Sequence, residues 1–390
     1  MGKDDKNLYP NLEIYLLTFL LSIVLCYKIK NCDTKEDEME YRDVLEEAKN
    51  REITKEEALL LLKEINTTQK LNELFEVASK VRDEEAKPIF KFDGFIGTIT
   101  PCNTNPPCKY CSRSSGRETF SEPLTIEEIK TGAKLISETG VKRVELGGGT
   151  MPGGAGDRVI ETVEAVRVVA PTLDIWINVG PSLSKDDLIQ LKKLGVKEVC
   201  SSLETYNPEV FAEVKPGDSR EARIRLAEEI DEVGLGLKSV MMVGIGGTSE
   251  DYVDYIFWLK GFKNLTHFPI TGFRPISGTP LEKHKAALSI EVAKIGAVAR
   301  LVHRKVDISF GGIMNDPQLL PLWIMAGANR AIHMGPHWHR GGKWSWRDHL
   351  PEIVVKTIGN MEFNNMLPLT TRIVKKMGMD VDVKVVSKIS

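Results

Sequence analysis

Three cysteines, Cys102, Cys108 and Cys111, fall within ten positions of the 390-residue chain, in the polar, proline-bearing segment TPCNTNPPCKYCSRSSG. Thiolates are ligands for soft metals. Three of them can hold three irons of a [4Fe–4S] cubane and leave the fourth iron open to a chelating molecule. Inert core cysteines would not crowd into a polar loop. Zinc is the rival, but a structural zinc site takes four closed ligands, and no fourth Cys or His stands nearby. Pro106 and Pro107 stiffen the five-residue spacer between the first two cysteines. Cys26 and Cys32 read as structural or incidental, and Cys200 as a core residue on a buried strand. A disulfide framework belongs to short secreted chains, so this cluster implies a reducing, cytoplasmic setting.

The loop needs a scaffold, and the chain offers one. With 42% apolar and 27% charged residues it can bury a large core, which excludes global disorder. A net charge of −3 without a dense Lys/Arg run argues against nucleic acid as partner. Residues 39–92 read as a helical prelude, with Thr54 and Glu57 at capping-box spacing. From residue 93 short β-rich runs alternate with helical patterns: GFIGTIT, VKRVELGGG, LDIWINVG, VKEVCSSLE, GLKSVMMVGIGG, THFPITGFRPI, KVDISFGG and NRAIHMG. Eight strands with intervening helices predict an α/β fold, a (β/α)8 TIM-type barrel over 93–335 with an N-terminal helical prelude, followed by a tail over 336–390 that packs on the barrel. The cysteine loop follows the first strand, at the strand ends where such barrels gather their active sites.

Residues 1–38 form an apolar extension. Its uncharged run, residues 14–27, would span about 21 Å as a helix, short of the ~30 Å hydrocarbon core. It reads as a membrane or interfacial anchor, which would make the protein membrane-associated, as sequence upstream of a true start at Met39, or as a packed helix.

The cysteine loop resembles the cluster-binding loop of radical S-adenosylmethionine enzymes, most of which space their cysteines by three and two residues with an aromatic before the last; Tyr110 stands at that position. The five-two spacing here resembles the Hmd co-occurring proteins, a family of the biotin-synthase-like branch associated with the iron-guanylylpyridinol cofactor of [Fe]-hydrogenase. Further segments resemble the same branch over about residues 90–335. Gly147, Gly148 and Gly149 match a strand end whose backbone approaches the methionyl amino group; Thr150 stands where an acidic residue is usual. Glu204 matches a carboxylate near the cofactor's ammonium or ribose, and Arg223 an arginine that meets the methionyl carboxylate, with Arg225 as competitor. Ile245 matches the segment packed on adenine, and Arg274 and Thr279 in FRPISGTPLE line the mouth. His337 and His339, without a third ligand, read as members of an ordinary polar loop.

The resemblance implies one [4Fe–4S] cluster on three cysteines, S-adenosylmethionine cleaved reductively to a 5′-deoxyadenosyl radical, a small-molecule substrate, and an external donor such as ferredoxin or flavodoxin. It implies a role in making the pyridinol part of the hydrogenase cofactor. No catalytic side chain beyond these cofactors is implied, and without a second cysteine cluster, sulfur insertion is disfavoured. Two alternatives stay open: a maturase or mutase like the [FeFe]-hydrogenase maturase HydE or the pyrrolysine enzyme PylB, whose spacer is three residues, and a non-catalytic iron–sulfur carrier, which would not need Glu204, Arg223 or the glycine-rich strand end.

Overall fold

The computed structural model describes residues 40–116, 122–311, 316–340 and 352–383. The apolar run 14–27 and Met39 lie outside them. Among the described residues no helix is long and apolar enough to cross a membrane.

The chain enters through three helices, α1 (40–48), α2 (Lys55–Glu64) and α3 (Thr68–Val81). Thr54 accepts from the Glu57 N–H and Glu57 accepts from the Thr54 N–H, the expected capping box. Arg304 ties this prelude to the barrel, donating to the carbonyls of Lys49 (3.0 Å) and Arg51 (2.8 Å) just past the end of α1, where backbone acceptors lack helical partners.

Eight parallel strand positions then close a barrel: β1 (Ile89–Gly97), β2 (Arg143–Gly147), β3 (Asp174–Asn178), β4 (Glu198–Cys200), β5 (Gly236–Lys238) continued by β6 (Met241–Val243), β7 (Leu265–Gly272), β8 (Asp307–Gly311) and β9 (Arg330–Ala331), which pairs back onto β1. The helices between them are α4 (Ile126–Glu138), α5 (Gly156–Val169), α6 (Lys185–Lys193), α7 (Pro208–Val214), α8 (Arg220–Val233), α9 (Ser249–Leu259) and α10 (Ser289–Val302), with the short α11 (Leu320–Met325) before β9. Thr125, Ser184 and Thr248 open α4, α6 and α9 as capping boxes. In the prelude, α2 packs on α9 and α3 on α10.

Three strand expectations need correction. The first strand is Ile89–Gly97, not 94–100, because Thr98–Pro101 has already turned into the cysteine loop. The run 236–247 is two short strands separated by Ser239 and Val240, and the register against β7 shifts between Leu237 and Lys238. The run 329–335 contributes only Arg330 and Ala331 before the chain leaves β8 at His333, whose φ is 59°. The segment around His337, read as a loop, is instead strand β10 (Pro336–Arg340). It takes over from β9 along the upper half of β1 and carries the antiparallel pair β11 (Val354–Ile358) and β12 (Met361–Asn365). Helix α12 (Leu367–Lys376) and β13 (Asp380–Val381) complete the described chain, β13 pairing with the start of β1.

The barrel closes through a strand of only two residues, and a buried ion network compensates. Arg330, 1% exposed, reaches Asp93 on β1 (2.8 Å), Glu198 on β4 (2.9 Å) and Asp307 on β8 (3.4 Å), while Arg143 meets Asp93 and Lys91 meets Asp307. Removing one partner of such a set strands the others. Arg330→Met is expected to destabilise folding by roughly 3–5 kcal/mol, read as a lowered midpoint in chemical denaturation.

Candidate active site

The cysteine loop leaves β1 at Gly97 and runs to a 3-10 turn, Ser112–Ser115. Its first part is stitched to the end of β2. The Gly149 N–H donates to the Thr100 carbonyl (3.0 Å), the Thr100 hydroxyl donates to the Gly149 carbonyl (2.9 Å), and the Asn103 N–H donates to the Thr150 carbonyl (2.8 Å). Its later part is held by Lys109 N–H on the Val214 carbonyl, 2.8 Å. A Cβ on Gly149 would lie 2.3–2.5 Å from Cβ, Cα and N of Cys102. Glycine there is a steric requirement. Gly149→Ala is expected to push the loop off β2 and lower cluster loading and activity by about tenfold, ~1.4 kcal/mol, checked by iron and sulfide per chain after reconstitution.

The three thiols are half-buried and differ in their surroundings. Burial pushes the Cys108 thiol up to about 12, against the pull of Lys215. Burial likewise raises Cys111. At Cys102 burial is outweighed by the Thr104 hydroxyl (3.3 Å) and the backbone N–H groups nearby, and its thiol is lowered. Arg113 lies 3.6 Å from the Cys102 sulfur and is fixed by the Thr104 carbonyl at 2.6 Å. Among the described residues no three His, Cys, Asp or Glu side chains already converge as a metal site. The donor set still fits an anionic iron–sulfur centre, with three thiols on one anchored loop and the cations Arg113 and Lys215 acting on it.

Beside Cys108 lies a chain of alternating charges. Glu204, four residues past β4 and bridged to Met241 on β6, has φ 67°, a left-handed conformation that costs a non-glycine residue roughly 1–3 kcal/mol. It is pinned there by its N–H on the Val240 carbonyl (3.0 Å) and its carbonyl on the Met242 N–H (2.8 Å). Its carboxylate accepts from the Tyr110 hydroxyl and from Lys215 (3.0 Å). Lys215 is 3.5 Å from Asp218, and Asp218 takes both Nε (2.9 Å) and Nη2 (2.5 Å) of Arg223. Arg223 also donates to the Ser202 carbonyl (2.8 Å) and approaches the Thr150 hydroxyl (3.4 Å). Arg223 is thus the buried arginine, and Arg225 is exposed on α8. Burial would raise the Asp218 carboxyl, but Arg223 and Lys215 hold it below the usual range.

Lys215 and Asp218 escaped the sequence reading. The segment Lys-Pro-Gly-Asp marks a turn, and only its packing reveals a role: a Cβ on Gly217 would meet the Pro106 carbonyl oxygen at 2.1 Å, so this turn lies directly on the cysteine loop. Ile245 packs with Val214, Phe273 and Leu281, and Tyr110 lies against them, giving an apolar wall next to the loop. Thr279 bonds its own turn at the Ile276 carbonyl, and Gly278 abuts Ser115 of the cysteine loop. His339 bonds the Arg340 carbonyl and Asn364, whereas the His337 ring lies edge-on to Phe95 and tilted against His333.

Residues 98–259, from the cysteine loop to the end of α9, match the model of the radical SAM superfamily. Over 340 residues the chain is 33% identical to an uncharacterised protein of Methanocaldococcus jannaschii, covering 86% of this chain and 85% of that one. It is 31% identical over 270 residues to the biotin synthase of Campylobacter hominis, covering 67% and 82%. The chain belongs to the radical S-adenosylmethionine superfamily. The crystal structure of methylornithine synthase (PylB) shares the barrel, with a TM-score of 0.72 at 22% identity over 87% of this chain and 96% of that one. As a radical S-adenosylmethionine enzyme the protein takes a [4Fe–4S] cluster and S-adenosylmethionine, and superfamily members act on small molecules with an external electron donor. The cluster supplies the electron that breaks a carbon–sulfur bond of S-adenosylmethionine; the protein's own work is to position the reactants and keep water from the radical.

Proposed function

We propose that Cys102, Cys108 and Cys111 hold the cluster, and that this enzyme generates a 5′-deoxyadenosyl radical in the biosynthesis of the pyridinol part of the iron-guanylylpyridinol cofactor. The observation that carries the first half is the charge chain Glu204–Lys215–Asp218–Arg223 beside Cys108. A methionyl group is itself a cation and an anion a few bonds apart, and alternating fixed charges next to an open iron complement it. In this reading Gly147, Gly148 and Gly149 present backbone to the amino group, and Glu204 and Lys215 offer the opposite charges. Arg223, whose guanidinium is spent on Asp218 and Ser202, holds that array in register. Tyr110 and Ile245 supply the apolar wall for adenine.

The pathway half rests on the five-residue spacer, which resembles the Hmd co-occurring family (HmdB, also called HcgA). The likeness to biotin synthase and to the methylornithine synthase structure favours a second reading, a maturase or mutase acting on another small molecule. Two experiments decide. Anaerobically reconstituted, dithionite-reduced protein is expected to form 5′-deoxyadenosine from S-adenosylmethionine; no product would sink the assignment of the cluster. A strain lacking the protein, fed labelled pyridinol precursors, is expected to make no cofactor; undiminished synthesis would leave the second reading.

A further inference from the structure

Inside the barrel, below the strand ends that carry the cysteine loop, lies a polar group that neither the cluster nor S-adenosylmethionine accounts for. Lys238 ends β5 with its side chain in the lumen and is 1% exposed. Its ammonium stands 3.0 Å from the centre of the Trp176 ring and makes no hydrogen bond or ion pair among the described residues. The ring offsets part of the cost of burying the charge, but an ammonium carries three donors, and a buried charge left without an acceptor is expensive.

The carboxylates that could serve it are taken. Asp93, Glu198 and Asp307 are drawn down to Arg330 at the barrel floor. Glu145 on β2, 2% exposed, accepts from the Asn178 amide (2.9 Å) with one oxygen and faces His333 Nε2 (3.2 Å) with the other. Burial would raise its carboxyl, yet Lys238 and His333 together hold it below the usual range. Two more lumen groups lack partners, His267 Nδ1 and the Trp176 indole N–H. One wall of the lumen therefore presents an amine with no hydrogen-bond acceptor, whose charged form burial disfavours and Glu145 favours, and another a carboxylate beside an imidazole that can accept from a hydroxyl or ring N–H.

We propose that the lumen binds a substrate bearing a carboxylate, anchored by Lys238, with a hydroxyl or N–H group oriented on Glu145 and His333. This rests on the reading of the protein as a radical enzyme acting on a small molecule, and it supplies that reading with a chemical class, a hydroxy- or amino-substituted carboxylic acid.

The test uses the reconstituted full chain with S-adenosylmethionine and four probes: 6-hydroxynicotinate, 3-hydroxybenzoate and the carboxamide of each. Equilibrium dialysis is expected to show each acid binding at least about tenfold more tightly than its amide, ~1.4 kcal/mol. Lys238→Met is expected to erase that preference while leaving the amides' affinities as they were, its fold checked by cluster absorbance and melting. Should Lys238→Met not fold, wild-type protein labelled with carbon-13 at lysine Cε gives the same answer: one buried-lysine resonance moves on adding acid and stays on adding amide. Equal affinities for acid and amide, no binding of either acid, or a preference that survives in Lys238→Met would each overturn the proposal. Formation of 5′-deoxyadenosine by wild-type protein without any probe separates the two ideas. If it is present while acid preference is missing, only the lumen assignment fails; if it is missing while acid preference holds, only the radical-enzyme activity fails.

Discussion

Cys108→Ser is expected to remove 5′-deoxyadenosine formation by about 10³-fold or more, ~4 kcal/mol in the apparent barrier, and to empty the protein of stable iron–sulfur absorbance. Three thiols hold three irons and leave the fourth open in the proposed arrangement, and Cys200, the remaining described cysteine, is buried in the barrel wall against Ser202 at 3.1 Å. Among the described residues no neighbouring thiol can therefore replace the lost one. A serine hydroxyl is a far weaker ligand for soft iron than a thiolate. Burial pushes the Cys108 thiol up to about 12, and ligation by a thiolate releases its proton. Iron analysis with a parallel 5′-deoxyadenosine assay checks this. Cys200→Ser is the control for cysteine loss in general, and full cluster content in Cys108→Ser would sink the ligand assignment.

Arg223→Met is expected to weaken S-adenosylmethionine binding by about 10- to 100-fold, ~1.4–2.8 kcal/mol, and also to destabilise the fold by roughly 3–5 kcal/mol. The two effects have one origin. Arg223 grips Asp218 with two nitrogens and the Ser202 carbonyl with a third, so its loss leaves a buried carboxylate with only Lys215 and the Ser219 N–H as partners. Lys215 is then pulled between Asp218 and Glu204, and the charge array loses its register. The pH dependence carries the signature. The folded-state pKa of Asp218 is depressed, so its contribution to stability is present above the unfolded value, ~3.9, and is lost as pH falls through the folded value. In Arg223→Met burial regains ground, the carboxyl rises, and the variant unfolds in acid at a higher pH than the wild type. Acid titration followed by circular dichroism, with an affinity for S-adenosylmethionine measured at neutral pH, separates the stability effect from the binding effect. Arg223→Lys, which keeps one charge but not the two-nitrogen grip, is expected to recover part of the stability.

The cysteine spacing, the triple glycine and the alternation of β-rich and helical runs are local properties, and each was legible in the sequence. The glycine run was legible as a place of close backbone approach, read toward the methionyl amino group; that Gly149 also abuts the Cys102 backbone is a tertiary contact. Arg223 was read ahead of its competitor Arg225 by spacing; the fold buries Arg223 on Ser202 and Asp218 and leaves Arg225 exposed. Lys215 and Asp218 could not be found from the sequence at all. Their role depends on a turn more than a hundred residues along the chain from Pro106 landing against the cysteine loop. The same holds for the lumen. Glu145 and Lys238 sit in strands whose apolar neighbours announce a core, and strand alternation alone does not say whether a charged residue faces solvent, helices or the barrel axis. Closing the sheet through the two residues of β9 decided that, turning alternate positions of separate strands toward one another. The sequence by itself determined that this protein carries a three-thiol loop on an α/β barrel. Tertiary structure alone decided which charges surround that loop and what faces the space beneath it, because those relations are made by contacts between segments with no local signal of each other.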